Sequence, residues 1–278
     1  MKTPELRQAR SLLFVPAHRP ERYAKAAASG TDVVCIDLED AVPAEARPAA
    51  RRALIEWLQG QPAGHGFGVR VSRLGSTDGL RDVLALHDAG VRPAFVMLAK
   101  TESAAEIMLL AQLLPGLPQI ALLESARGLQ AAAEVAAAAP AGAPLQALMF
   151  GGADMAADLG CDFSWEALLH ARCTLVAAAA TQGLASIDVP WLDLDDAEGC
   201  RAETARVAAL GYTAKSLIHP AQVAPVHAGL APTPQALAQA QRVVDACVNE
   251  AGAQRLDGRL VDRPVLLAAQ RLLRRSQT

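Results

Sequence analysis

Aromatic side chains are scarce: they make up 4% of the 278 residues, while hydrophobic residues in all reach 52%. An apolar content carried by alanine rather than by Phe, Tyr or Trp favours closely packed helices over an all-β sandwich. The five cysteines, Cys35, Cys161, Cys173, Cys200 and Cys247, form no C-x-x-C pair. That excludes a disulfide frame or a cysteine zinc site and fits free thiols in a reducing compartment. The six histidines show no H-x-x-x-H pairing, so a helix-borne zinc site is not expected either. No apolar run has the length of a signal h-region or a membrane span, and a cytoplasmic location is the expectation. Neither sign of charge dominates, with 26 basic against 29 acidic residues and a net of −3. Neither a nucleic acid nor an anionic membrane is therefore expected as a partner.

Common catalytic signatures are missing too. There is no G-x-S-x-G elbow and no Walker A loop, since Lys215-Ser216 lacks the upstream glycine spacing. Gly64-His65-Gly66-Phe67-Gly68 is glycine-rich, but it precedes a strand instead of joining a strand to a helix, so it is no dinucleotide loop.

What is present is an alternation. Short apolar runs, at Ser11–Val15, Val33–Leu38, Phe67–Val71, Ala94–Leu98, Gln119–Leu123, Ala147–Phe150, Ala185–Val189 and Ala214–Ile218, predict strands. Between them Ala46–Leu58, Leu80–Ala89, Ala104–Leu114, Leu129–Ala139 and Ala197–Leu210 predict helices. Eight βα units point to an α/β fold, a (β/α)8 TIM barrel, with an open doubly wound sheet as the rival. The character changes near residue 228. Residues 1–228 read as the barrel and 229–278 as a helical C-terminal extension, with helices expected over Gln235–Glu250 and Arg259–Arg275 around a polar stretch, Ala251–Gly258. Such a tail packs on its own barrel or reaches over a neighbouring subunit.

The strand ends carry the chemistry. Val33–Leu38 encloses Asp37 and runs into Glu39-Asp40, and Phe67–Val71 contains Arg70. The next three runs are followed by Lys100, by Glu124, and by Gly151-Gly152-Ala153-Asp154. In a parallel barrel all these groups face one mouth. Each alone reads as a loop or cap residue, but five successive strands ending this way make a constellation. So acidic a cluster calls for a cation, and hard oxygen ligands with few histidines suit Mg2+. Arg70 offers a planar fork for a substrate carboxylate, and metal beside arginine suits enolate stabilisation. Lys100 is the alternative, a Schiff-base lysine, which the neighbouring acidic cluster argues against.

These residues lie in motifs with a family likeness. Arg10-Ser-Leu-Leu-Phe-Val-Pro16, Asp37-Leu-Glu-Asp-Ala-Val42, Val69-Arg-Val71, Leu123-Glu-Ser125, Phe150-Gly-Gly-Ala-Asp154 and Lys215-Ser-Leu-Ile-His-Pro220 resemble the HpcH/HpaI aldolase and citrate lyase β-subunit family. The resemblance implies a barrel with a Mg2+-dependent carbon–carbon lyase or aldolase site, commonly acting on acyl-CoA thioesters. It makes Glu124 and Asp154 the Mg2+ ligands and Arg70 the arginine that holds the substrate carboxylate and the enolate. Asp37, Glu39 and Asp40 become carboxylates around metal-bound water. Two departures stand out. Arg70-Val-Ser72 replaces the usual Arg-Val-Asn, which bears on substrate hydrogen bonding, and Pro16-Ala17 replaces Pro-Gly, which bears on the thioester entrance.

The segment Gly258-Arg-Leu-Val-Asp262-Arg-Pro-Val-Leu-Leu-Ala-Ala-Gln270 resembles the tail of the malyl-CoA and citramalyl-CoA lyase branch. The resemblance implies that Asp262 reaches a neighbouring subunit's site and handles the proton on the acetyl-CoA carbon. On its own Asp262 reads as an N-cap two residues before Pro264. A homotrimer or hexamer follows as the expected assembly. Arg19, Arg22 and Lys25 follow the first strand at helical spacing and are expected to face CoA phosphates, with His219 near the nucleotide end. The expected reaction is cleavage of a 3-hydroxyacyl-CoA, such as (S)-citramalyl-CoA or malyl-CoA, to acetyl-CoA and a 2-oxo acid. A citryl-thioester lyase, an aldolase of free hydroxy-oxo acids and a non-catalytic CoA-binding relative are the alternatives.

Overall fold

The computed structural model describes residues 6–248 and 254–275. Eight strands close one parallel barrel in sequence order: Ser11–Pro16 (β1), Val33–Asp37 (β2), Phe67–Val71 (β3), Val96–Leu98 (β4), Gln119–Leu123 (β5), Leu145–Phe150 (β6), Ala185–Asp188 (β7) and Ala214–Leu217 (β8). The pairing of β1 with β8, Leu12 opposite Ser216, seals the ring and rules out the open sheet. Leu12, Val33, Cys35, Met97, Ile120, Leu122, Ala147 and Met149 fill the interior. Because side chains alternate with period two along a strand, the inward face continues from Cys35 to Asp37, from Leu122 to Glu124 and from Met149 to Gly151. The apolar filling therefore gives way to polar groups at one end, where the strand C-termini lie.

Helices surround the barrel, among them Arg47–Gln59, Thr77–Asp88, Ala104–Leu113, Trp165–Thr181 and Ala197–Leu210. Their starts follow side-chain capping. The Ser76 hydroxyl accepts from the Gly79 N–H at 3.0 Å, which begins that helix three residues ahead of the expected Leu80. Ser103 and Glu106 form a reciprocal capping box on Ala104–Leu113. The single helix expected over Leu129–Ala139 is instead two short ones, Ala126–Gln130 and Ala132–Ala137, broken at Ala131.

The described residues from Leu230 onward form a second compact unit. It holds the helix Pro234–Val248, an antiparallel pair of strands, Gln254–Leu256 (β9) and Arg259–Val261 (β10), and the helix Arg263–Arg275. Ala240, Val243, Val261 and Ala269 form its core. The last helix was expected from Arg259, but its first three residues belong to β10. The reason is the turn Asp257-Gly258, both residues left-handed at φ 51° and 79°, the pairing that a two-residue hairpin demands. Residues 249–253, the end of one expected helix and part of the polar stretch, lie outside the described residues.

Buried ion pairs fasten the helices to the barrel. Asp82 is fully buried; one oxygen accepts from Arg51 Nε at 2.6 Å and the other from the Ser72 N–H and hydroxyl at 3.1 and 2.9 Å. Ser72, expected to affect substrate hydrogen bonding, is therefore committed to the outer layer. A carboxylate taken from such a site leaves a buried guanidinium and two donors short of acceptors. Asp82→Ala should therefore lower unfolding stability by about 3 kcal/mol in chemical denaturation.

Candidate active site

The barrel mouth brings together Asp37, Glu39, Asp40, Arg70, Lys100 and Glu124. Asp37 and Arg70 are register partners on β2 and β3, so the backbone sets them side by side. Arg70 Nε donates to Asp37 Oδ1 at 2.7 Å and Nη2 to Oδ2 at 2.6 Å, a forked pair. The same carboxylate accepts from the Glu39 N–H at 2.9 Å and the Ala41 N–H at 3.1 Å. Asp37 is fully buried, and each of its oxygens is bound to the guanidinium and to a backbone N–H. It positions Arg70; the structure gives no free oxygen of Asp37 to a metal-bound water. Phe14 lies under the guanidinium at 4.9 Å from its ring centroid, and Glu39 Oε2 stands 3.3 Å from Nη1.

Lys100 has a positive φ of 50°, uncommon for a residue with a side chain. In that conformation its backbone N–H donates to Glu124 Oε1 at 2.8 Å, while its ammonium reaches Glu39 Oε1 at 2.5 Å and Asp40 Oδ2 at 2.8 Å. Burial disfavours the ammonium's charge, but the hydrogen bonds and charges of Asp40 and Glu39 win and raise the Lys100 pKa. A Schiff-base lysine needs the opposite shift. Lys100 is thus the counter-charge for Glu39 and Asp40. Burial would also raise Asp40, yet the Lys100 hydrogen bond and charge hold it below the usual carboxylate range. Glu39 is raised, by burial above all, with Arg70 and Lys100 opposing.

Glu124 is 3% exposed, and its carboxyl is pushed up to about 8, first by burial and then by the charge of Glu39, Arg70 opposing and Asp154 adding to the rise. The site is short of positive charge at Glu124. Gly151 leaves the room there: an added Cβ would meet Glu124 Oε2 at 2.7 Å and its Cβ at 2.4 Å. Asp154, exposed, stands in the first turn of the helix Gly152–Leu159. Among the described residues no three His, Cys, Asp or Glu side chains gather as a cage. Two carboxylates with open positions suit Mg2+, which binds through one or two carboxylates plus substrate and water. The donor set fits that ion.

Of the residues expected to meet CoA, Arg22, Lys25 and His219 line one cavity of about 310 Å3 with Phe14, Pro16 and Ile218, between the ends of β1 and β8. Arg19 does not line it and instead lies 3.7 Å from Glu21. Ala17, expected to alter the thioester entrance, is wholly buried; its N–H donates to the Asp37 carbonyl at 2.8 Å and its carbonyl accepts from Tyr23. Asp262 caps the helix Arg263–Arg275, accepting from the Val265 N–H at 3.3 Å. Lys215 of the last motif is buried away from the mouth, bonded to Asp188 and Glu203.

The family model for HpcH/HpaI aldolase/citrate lyase matches residues 10–220. The chain belongs to that family. It is thereby an enzyme of the aldolase and lyase class. A citrate lyase subunit beta-like protein of Mycobacterium tuberculosis is 41% identical over 273 residues, covering 95% of this chain and 94% of the relative. An L-malyl-CoA/beta-methylmalyl-CoA lyase of Cereibacter sphaeroides is 31% identical over 309 residues, covering 99% and 96%. Among solved structures, CitE of M. tuberculosis in complex with magnesium, acetoacetate and coenzyme A has a TM-score of 0.86 at 39% identity, covering 98% of this chain and all of that one.

The Glu124 shift has a sign that can be checked. A carboxyl raised from 4.5 to about 8 contributes stability below pH 4.5 that is lost as the pH climbs through about 8. A metal ion held by Glu124 would have to displace its proton, and at pH 7 only about a tenth of such carboxyls are ionised. Mg2+ affinity should therefore rise roughly tenfold from pH 7 to pH 9, with proton release near pH 7. Calorimetric titration in buffers of different ionisation enthalpy measures both.

Proposed function

We propose that the protein is a Mg2+-dependent lyase that cleaves the carbon–carbon bond of a 3-hydroxyacyl-CoA, with (S)-citramalyl-CoA or malyl-CoA as the preferred substrate class. The products are acetyl-CoA and pyruvate or glyoxylate. The observation that carries this reading is the buried, cation-deficient Glu124 next to an Arg70 clamped by Asp37. The magnesium-bound and CoA-bound relatives support the cofactor and the thioester.

Glu124 and Asp154 would hold the ion, which supplies Lewis acidity toward substrate oxygens. Arg70 cannot swing, because Asp37 occupies the Nε edge of its fork. The N–H groups that Asp37 leaves over, with Glu39 Oε2 beside Nη1, would meet the enolate charge, and a donor already in place needs no reorganisation during the reaction. Lys100 keeps Glu39 and Asp40 from crowding that charge. The cavity bounded by Arg22, Lys25 and His219 adjoins β1 and would take the phosphates and pantetheine arm of CoA. Asp262, donated by another subunit of a homotrimer or hexamer, would deliver the proton to the enolate carbon.

Purified protein offered citramalyl-CoA, malyl-CoA and citryl-CoA, each with Mg2+ and with EDTA, should release oxo acid from one of the first two only with Mg2+. Preference for citryl-CoA would favour the reading suggested by the citrate lyase beta-like relative. Glu124→Gln should lose at least about a hundredfold in turnover; full activity would remove Glu124 from the site. Arg70→Ala and Asp262→Ala proteins, each inactive alone, should regain activity on mixing through subunit exchange. Asp37→Asn should lower kcat more than it raises KM, since it loosens a donor that acts in the transition state.

A further inference from the structure

A second cavity, larger than the one at the mouth, opens outside the barrel. It measures about 540 Å3 and lies between the helices Trp165–Thr181 and Ala197–Leu210, under the loop that follows β7. Its walls are mostly apolar, from Phe163, Trp165, Leu168, Pro190, Trp191 and Leu192. Beneath them lies a charged network. The cross-strand partners Asp188 and Lys215 are fully buried and bonded at 2.5 Å, and Lys215 also donates to Glu203 at 2.8 Å. Arg172, only 2% exposed, donates through Nε to Asp188 at 3.0 Å, and its guanidinium stands 5.0 Å from the Trp165 ring centroid. Arg206 covers the same ring at 3.9 Å.

Two features of the network are unsatisfied. Arg172 Nη1 and Trp191 Nε1 are both buried and have no hydrogen-bond partner. Both residues line the cavity. Buried donors without acceptors are rare because each forfeits its hydration for nothing. Among the described residues the cavity is lined by two arginines, Arg172 and Arg206, and two carboxylates, Glu203 and Asp193, the last of which accepts from the Asp195 N–H at 3.0 Å. Two buried donors without acceptors, one of them on a guanidinium, within aromatic and aliphatic walls match a ligand with an anionic acceptor at one end and an apolar body.

We infer that the cleft between these two helices is a binding site for a small organic carboxylate with an aromatic or aliphatic body, received by Arg172 Nη1 and Trp191 Nε1. The site is separate from the barrel mouth and does not depend on which thioester the protein cleaves. Phe163 joins the two regions: a Cβ placed at Gly152, in the turn that carries Asp154, would lie 3.0 Å from its ring.

The chain has three tryptophans, Trp57, Trp165 and Trp191, and two of them line this cleft. Full-length protein labelled with 5-fluorotryptophan, its resonances assigned by single Trp→Phe changes, should be titrated with phenylacetate in the presence of Mg2+. The Trp165 and Trp191 signals should shift with saturation in the millimolar range or below, and that of Trp57 should stay. The neutral analogue 2-phenylethanol should bind roughly tenfold more weakly, since the anion's hydrogen bonds would be missing. Ala202→Phe, which fills the cleft from its exposed wall without touching the buried charges, should abolish the shifts and leave Mg2+ binding unchanged. Absence of any shift by 2-phenylethanol and phenylacetate alike, shifts that survive Ala202→Phe, or inorganic phosphate acting as strongly as phenylacetate would each overturn the assignment.

Discussion

The forked bond between Asp37 and Arg70 is the constraint on which the rest of the mouth depends. It spends a fully buried carboxylate on holding one cation still, and it does so from adjacent strands whose hydrogen-bonded register admits no slip. A one-residue shift of β3 would turn Arg70 outward and expose an uncompensated charge on Asp37. The pair therefore fixes function and strand register together. From it the other charges follow in order: Glu39 lies against Arg70, Lys100 against Glu39, and Glu124 against the Lys100 backbone.

That chain of contacts explains why the acidic residues of the mouth do not behave alike. Asp40 has an ammonium and solvent, and ionises readily. Glu124 has a single backbone N–H for one oxygen, burial on all sides and like charges nearby, so its proton is held. On the β2–β4 side two cations, Arg70 and Lys100, are bonded among three carboxylates, whereas Glu124 at the end of β5 is bonded to neither side-chain cation. In the proposed reaction a divalent cation would sit at Glu124, and a substrate bridging the two sides would meet a fixed donor at one end and metal at the other.

Much of this was legible in the sequence. Apolar runs of four to six residues between helical stretches gave the strand order, and charged residues at the ends of those runs gave the mouth. The family motifs named Glu124, Asp154 and Arg70. Pairwise detail was not legible. That Asp37 serves Arg70 depends on strand register, which one sequence does not state. Ser72 lies two residues past Arg70 on the same chain, yet its hydroxyl bonds Asp82 behind the sheet, because direction at a strand's end depends on the helix packed there. The Lys100 assignment needed its φ angle. The hairpin at Asp257-Gly258 carried an open signal in its turn dipeptide, overridden by the helical look of the residues after it.

The left-handed backbone at Lys100 has an evolutionary corollary. Glycine or asparagine would sit more comfortably at φ 50°, so drift by backbone ease alone would carry the position toward them. Either replacement would strip the ammonium from between Glu39 and Asp40 and leave two carboxylates repelling one another beside Arg70. Local conformational comfort and long-range charge balance thus pull this site in opposite directions. The lysine marks a position where substitution is blocked from both sides, a narrow point in the sequence space open to this barrel.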